Sequence, residues 1–326
     1  MSRVVRSNDY AGERMPRQEW SPPRTLLIAM ATAIAFRSVT KRFPNGTLGL
    51  ADANWYVEEG KHACLLGPSG SGKTTAVRLL QAALRPTGGS ILLLGIPVDG
   101  PGYRGVRGRL GILAQGPGMY ADLTAGEYMA LAARLYGARP DRAVEALDLG
   151  EYLHTRMTYL SPSFQRRLAL AAALVADPDV LVLDEPTAGL DRVAADHLIL
   201  YLREAMRGRT TLFCTHRQDE GESLCSDVIY LRGGQVVAEG TWEEVRRRSR
   251  PCLRVAARQG VGAVMAELAE LGMHGEPADG AVVVSVASPE QESGALLRRL
   301  LEAGLDVYEC APVRPALETI LHEGYQ

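Results

Sequence analysis

Up to residue 24 the chain is rich in Arg, Pro and Ser and shows no hydrophobic periodicity. Such a composition cannot bury enough apolar surface to offset the entropy of ordering, so this segment is expected to be disordered. The apolar run Thr25 to Phe36, TLLIAMATAIAF, holds 12 residues before Arg37 stops it, against the roughly 20 that a spanning helix needs. From Ala33 the pattern tightens. AIAFRSV, ADANWYVEEG and HACLLG read as three short strands separated by the turn signals PNG and EEG. The third strand runs straight into a glycine-rich loop, after which TTAVRLLQAAL places apolar residues at helical spacing until PTGG ends it.

The central third changes character. From Leu123 to Leu160 the chain is rich in Ala, Leu and Arg, with helical stretches in AGEYMALAARLYG and RAVEALDLGEYL and no strand pattern. It reads as an inserted helical subdomain, about residues 121–164. A further helix is predicted from Ser163 to Ala176. The continuous apolar run VLVLDEP then predicts a strand buried on both faces, as in a parallel sheet. TTLFCTH and DVIYLRGG repeat that strand character. Beyond Arg250 three strand candidates (CLRVAA, AVVVSVA, DVYECA) alternate with amphipathic helices around Ala263–Leu271 and Ser293–Ala303. Residues 251–326 are therefore expected to form a separate small α/β domain, joined through the charged stretch EEVRRRSRP.

Composition sharpens this picture. At 326 residues the chain exceeds the size at which single cores usually divide, about 250–300 residues. A formal net charge of −2 with 23% charged and 46% hydrophobic residues leaves no bulk field to attract nucleic acid, so no nucleic-acid partner is expected. Five scattered cysteines, never in a CxxC pair, argue against a disulfide framework or a zinc site. Lysine occurs only at Lys41, Lys61 and Lys73, and the last lies in the glycine-rich loop, where an ammonium is wanted.

That loop, Gly67-Pro68-Ser69-Gly70-Ser71-Gly72-Lys73-Thr74, matches GxxxxGK[ST] and sits between a strand and a helix, the context this motif requires. Glycines let backbone N–H groups turn onto phosphates. Lys73 is placed to reach the β- and γ-phosphates and the Thr74 hydroxyl to ligate Mg²⁺, with Thr75 next in the helix. Asp184 ends the apolar strand and is a candidate metal ligand. The adjacent Glu185 is placed to orient or deprotonate an attacking water, which makes it the candidate general base. A nucleotide loop of this kind belongs where ATP is, which argues against reading Thr25–Phe36 as a secretory signal; Met30 is an alternative start.

The run LVLDEPTAGLD (Leu181–Asp191) resembles the Walker B and D-loop segment of ATP-binding cassette (ABC) proteins. Further resemblances follow in that family's order from Ala33 to about Arg247. Gln115 in GILAQ resembles the Q-loop glutamine, which contacts Mg²⁺ and links nucleotide to the helical subdomain. His216 in CTH resembles the switch histidine that senses the γ-phosphate. Phe43 in KRF falls where the family places an aromatic that stacks on adenine, a core or loop aromatic being the alternative. Asp191 resembles the D-loop aspartate, and GGQVVAEGTWEEV the family's last hairpin. THRQDEGESLCSDVIYL is similar to the subclass of drug, antibiotic and polysaccharide exporters in which cassette and permease are separate chains.

The resemblance implies an α/β fold of the P-loop NTPase type: a RecA-like core with an antiparallel β subdomain and an inserted helical subdomain, together residues 33–248. The small C-terminal α/β domain and a disordered extension, residues 1–32, complete the expected organisation. It also implies ATP and Mg²⁺ as cofactors, a transmembrane permease partner, a second cassette, and a place on the cytoplasmic face of the membrane. Soluble cassettes acting on ribosomes or DNA, and regulatory cassettes with little hydrolysis, are the competing readings.

One motif departs from the family. The signature, normally LSGGQ, reads Leu160-Ser161-Pro162-Ser163-Phe164. In the family this element of one cassette closes over ATP held by another, so Ser161 is expected to act in trans. Pro162 has no N–H to offer, Ser163 adds a side chain where backbone was to approach, and Phe164 replaces an amide. Each lost bond to a charged group is worth about 1.5–3 kcal/mol. A Ser cap followed by Pro at the first helical position nonetheless predicts a sound helix start. A good nucleotide half beside a poor signature half is expected to pair with a different cassette carrying a normal signature.

Overall fold

The computed structural model describes residues 32–116, 122–247, 251–278 and 280–313. The expectations for residues 1–31, including the alternative start at Met30, lie outside the described residues, but the end of the apolar run, from Thr32, is the start of a strand. That strand, β1 (Thr32–Arg42), pairs antiparallel with β2 (Leu48–Glu58). On its other side β1 pairs antiparallel with β4 (Gly88–Leu93), which turns back as β5 (Ile96–Pro97), so the small sheet runs β2-β1-β4-β5.

The second sheet is the one that builds the site. β3 (His62–Leu66), β6 (Leu110–Leu113), β7 (Val180–Asp184), β8 (Thr210–Thr215), β9 (Asp227–Arg232) and β10 (Gln235–Thr241) lie in the order β10-β9-β3-β8-β7-β6. All pairings are parallel except the β9–β10 hairpin. Its two faces feed two different cores. Leu65, Val180, Val182, Leu212 and Leu231 pack with Ile34, Phe36, Leu50 and Trp55 of the small sheet. The alternate residues Leu66, Leu181, Leu183, Phe213 and Tyr230 pack on the opposite side with Met129, Leu168 and Leu198. Because successive side chains point to opposite faces and both are covered, these strands carry uninterrupted apolar runs.

The helices are α1 (Lys73–Leu80), α2 (Tyr103–Val106), α3 (Ala125–Tyr136), α4 (Asp141–Ala146), α5 (Pro162–Leu174), α6 (Arg192–Met206), α7 (Gln218–Leu224) and α8 (Trp242–Arg247). α3 begins on a capping box: the Thr124 hydroxyl accepts from the Glu127 N–H, and the Glu127 carboxylate accepts from the Thr124 N–H at 2.8 Å. The helix predicted through RAVEALDLGEYL breaks in two. α4 stops at Ala146, Asp148 takes φ 50°, and a 3-10 turn follows over Gly150–Tyr152. Arg167 of α5 takes the carbonyls of Leu147 and Asp148 that a continuing helix would have used. The start of the charged stretch, Glu243–Arg247, is not a linker but α8, anchored by buried Trp242 and Val245.

Beyond residue 250, β11 (Cys252–Ala257), α9 (Val261–Glu270), β12 (Gly275–Ala278), β13 (Ala281–Ser285), α10 (Pro289–Glu302) and β14 (Val307–Val313) form an antiparallel sheet of order β12-β13-β11-β14. This β-α-β-β-α-β arrangement is the ferredoxin-like motif. Leu253, Val255, Val282 and Val284 meet Val264, Leu268, Leu296 and Leu300 in a core of their own. β12 carries too little apolar sequence, GEPA, to be read as a strand.

Candidate functional site

The parallel strands deliver their carboxyl ends, and the loops after them, to one edge of the large sheet, where α/β proteins bind ligands. β3 leads into Gly67 and the loop ending at α1. Gly70 and Gly72 take φ 80° and 112°, conformations that glycine adopts without steric cost. A Cβ at Gly67 would stand 2.1 Å from the Leu231 carbonyl oxygen, and one at Gly72 would stand 2.3 Å from that of Gly49. The loop is therefore pressed against neighbouring backbone. The first intrahelical bond of α1 runs from the Ala76 N–H to the Gly72 carbonyl, so the N–H groups of Lys73, Thr74 and Thr75 have no partner within the helix.

Five side chains meet at this loop. The Lys73 ammonium donates to the Gly67 carbonyl at 2.6 Å and the Pro68 carbonyl at 3.2 Å, and stands 3.3 Å from a Glu185 carboxylate oxygen. His216 Nδ1 is 2.8 Å from the other Glu185 oxygen. The Thr74 hydroxyl donates to Asp184 at 3.4 Å. Lys73, Asp184 and Glu185 are all buried. Burial first, and the neighbouring Glu185 charge second, push the Asp184 carboxyl above its ordinary range, against the pull of Thr74 and Lys73. Glu185 holds φ 48°, a left-handed backbone costly for a residue with a Cβ and typical of working sites.

The residues fit a phosphate chain and a hard cation. The Ser71 hydroxyl is buried with no hydrogen-bond partner, an expense that a ligand oxygen would remove. Thr74 and Asp184 present the all-oxygen donor set that Mg²⁺ prefers. The Phe43 ring lies half-buried beside Gly49 and Thr75, at the loop's margin, with Lys41 Nζ 5.5 Å from its centre. Gln115 is exposed two residues past β6, whose Leu113 pairs with Leu183 of β7. That register brings Gln115 alongside the Asp184–Glu185 turn.

Ser161 and Asp191 stand elsewhere. Each caps a helix: Ser161 accepts from the Phe164 N–H at 3.3 Å with Pro162 at the first position of α5, and Asp191 accepts from the Ala194 N–H at 2.9 Å at the start of α6. With Ser163, Phe164, Arg167 and Tyr201 they line a cavity of about 580 Å³ that none of the phosphate-loop residues lines. Phe164 is half-buried and turned into its own chain, 4.0 Å from the Tyr152 ring. The Arg167 guanidinium lies between Phe164 and Tyr201, 4.6 and 4.5 Å from the ring centres.

Other members were invisible in the sequence. Glu220 is buried, accepts from the Thr187 hydroxyl at 2.7 Å and the Thr215 hydroxyl at 3.3 Å, and pairs with Arg217 at 2.8 Å. It joins the segment after Glu185 to the end of β8, the strand that leads to His216. Desolvation raises its pKa despite those partners. Arg166, also buried, reaches the backbone on either side of the site. Ile112, Ala114, Tyr128, Leu131, Leu135 and Tyr136 line another cavity, of about 400 Å³, between β6 and α3, and Leu135 is 75% exposed.

A buried lysine in a glycine loop, a hydroxyl and an aspartate for a cation, and an acid bridging lysine to histidine define a P-loop nucleotide-binding protein. Comparison with known proteins narrows the class. Residues 50–188 match the family model described as ABC transporter. Over 215 residues the chain is 38% identical to the Nod factor export ATP-binding protein I of Burkholderia thailandensis, covering 64% of this chain and 70% of that protein. Over 221 residues it is 36% identical to the protein of the same name from Neorhizobium galegae, covering 65% and 63%. Among solved structures it is similar to cbiO1 of Clostridium perfringens, part of the ABC transporter complex cbiONQ, with a TM-score of 0.59, 26% identity and coverage of 67% of this chain and 92% of that one. A dimeric ATP-binding cassette in a post-hydrolysis state bound to ADP and Pi gives a TM-score of 0.57 at 26% identity, covering 64% and 98%. The chain belongs to the ABC transporter family, as an ATP-binding ATPase subunit with the P-loop NTPase fold.

Proposed function

We propose that this chain binds ATP with Mg²⁺ on the Gly67–Thr75 loop, hydrolyses it with Glu185 as general base, and so powers export through a separate transmembrane permease. The observation that carries the reading is the chain Lys73–Glu185–His216: one buried carboxylate held between an ammonium and an imidazole. Lys73 turns its charge to the β- and γ-phosphates once they occupy the loop, which releases Glu185 to accept a proton from water. His216 orients that carboxylate and, being half-exposed, can reach the γ-phosphate. Thr74, Asp184 and Gln115 would hold Mg²⁺, whose charge offsets that of the phosphates. Phe43 offers its ring to adenine. Glu185→Gln should cut turnover to a small residual rate while leaving ATP binding intact; undiminished turnover would overturn the assignment.

The permease reading is supported by the export protein named among the relatives and by the cavity beside Gln115, lined by both aliphatic and polar side chains. No helix among the described residues is long and apolar enough to cross a membrane. Residues 33–248 act as the cassette at the cytoplasmic face, and residues 251–326 act as an accessory unit, whose described part has a core of its own. Dimeric cassettes among the similar structures support a second cassette as partner. That Phe164 packs inward and Pro162 lacks an N–H favours a different chain with a normal signature. Robust ATP-dependent turnover by a homodimer of this chain alone would overturn that pairing.

A further inference from the structure

We propose that Arg166 is a positioning residue for hydrolysis: a strut from the helix carrying the altered signature to the backbone of the catalytic carboxylate. The inference rests on Glu185 acting as general base. The Arg166 side chain donates to the Ala114 carbonyl at 2.8 Å and to the Gln115 carbonyl, and its Nη2 lies 3.5 Å from the carbonyl of Glu185. It is 6% exposed, and no carboxylate among the described residues forms an ion pair with it. Desolvation lowers its pKa, with Asp184 opposing at longer range. A buried guanidinium satisfied only by main-chain oxygens is a costly arrangement, and here its three acceptors come from the ends of two neighbouring strands, β6 and β7.

What the strut holds is the strained point of the site. The left-handed backbone of Glu185 persists only where its surroundings over-determine it. Its N–H is fixed by the Cys214 carbonyl at 2.9 Å. Its carbonyl accepts from the Ala188 N–H at 3.1 Å within the same turn, and from Arg166 across the fold. Arg167, the next residue, reaches the opposite way, to the carbonyls of Leu147 and Asp148 and between the rings of Phe164 and Tyr201. The first turns of α5 are thus tied at once to the helical subdomain and to the Glu185 peptide. A shift of the signature end of α5 is felt at the carboxylate that activates water. A lysine cannot replace this: one ammonium cannot span the acceptors that a planar fork spans.

The test is single-turnover hydrolysis, nucleotide affinity and melting temperature of the full chain in the complex that co-purifies with it. Arg166→Gln should slow hydrolysis by about 10- to 100-fold, the cost of misplacing a catalytic group by a fraction of an ångström to an ångström, with ATP affinity within about threefold. Arg166→Lys, which keeps the charge and the fold, should be nearly as slow. In a Glu185→Gln background Arg166→Gln should cost less than about twofold more, because it acts through Glu185. A wild-type rate in Arg166→Lys, a matching loss of ATP affinity and melting temperature, or losses that multiply in the double variant would each overturn the inference alone. A wild-type rate in Glu185→Gln would instead overturn the general-base reading on which it stands.

Discussion

Restoring the family's glutamine at Phe164 should weaken this chain, although it repairs the motif. Phe164→Gln removes a ring 4.0 Å from Tyr152, an aromatic pair worth about 0.5–1.5 kcal/mol. It also removes one face of the Arg167 stack, about 0.5–1 kcal/mol at a partly exposed site. The loss of half-buried apolar area adds about 1 kcal/mol, and glutamine recovers little through helix propensity. The total, about 2–3.5 kcal/mol, is concentrated where Arg167 holds the Leu147–Asp148 carbonyls. Native-state hydrogen exchange reads it directly: amides of residues 147–153 and of the first turn of α5 should exchange about 30-fold faster or more. Phe164→Tyr should keep wild-type protection. Exchange in Phe164→Gln within about threefold of wild type would refute the claim that this ring has become an internal anchor.

Two further outcomes follow from buried groups. Burial raises the Glu220 carboxyl above its ordinary range, so in the window just above that range the folded chain binds more protons than the unfolded one, and stability falls as pH rises through it. Asp184 acts in the same direction. Glu220→Gln should flatten the dependence of the urea midpoint on pH, and an unchanged slope would count against a buried Glu220. Burial likewise pushes the thiols of Cys64, Cys214 and Cys225 up, while half-buried Cys310 is the most accessible cysteine of the described residues. Brief alkylation followed by peptide mass spectrometry should label Cys310 first; early labelling of Cys64 would contradict the packing of β3.

Local order along the chain was enough for much of this. The loop from Gly67 to Thr74 declares its chemistry because phosphate binding needs glycines, a lysine and a hydroxyl at fixed spacing between strand and helix. The apolar runs ending in Asp184 and Thr215 declare buried parallel strands because both faces are covered. Even the cap at Ser161 was legible, since capping is decided within four residues. The pairing of Lys73 with Glu185 and of Glu185 with His216 was not, because it depends on β3, β7 and β8 lying side by side. Nor were Arg166 and Glu220, each an ordinary charged residue on a helix until the fold closes carbonyls or hydroxyls around it. In sequence, Phe164 marks only a lost amide. Its new role, gripping Tyr152 and Arg167, exists because α4 breaks early and Arg167 must hold the carbonyls left behind, and that is settled by tertiary packing alone.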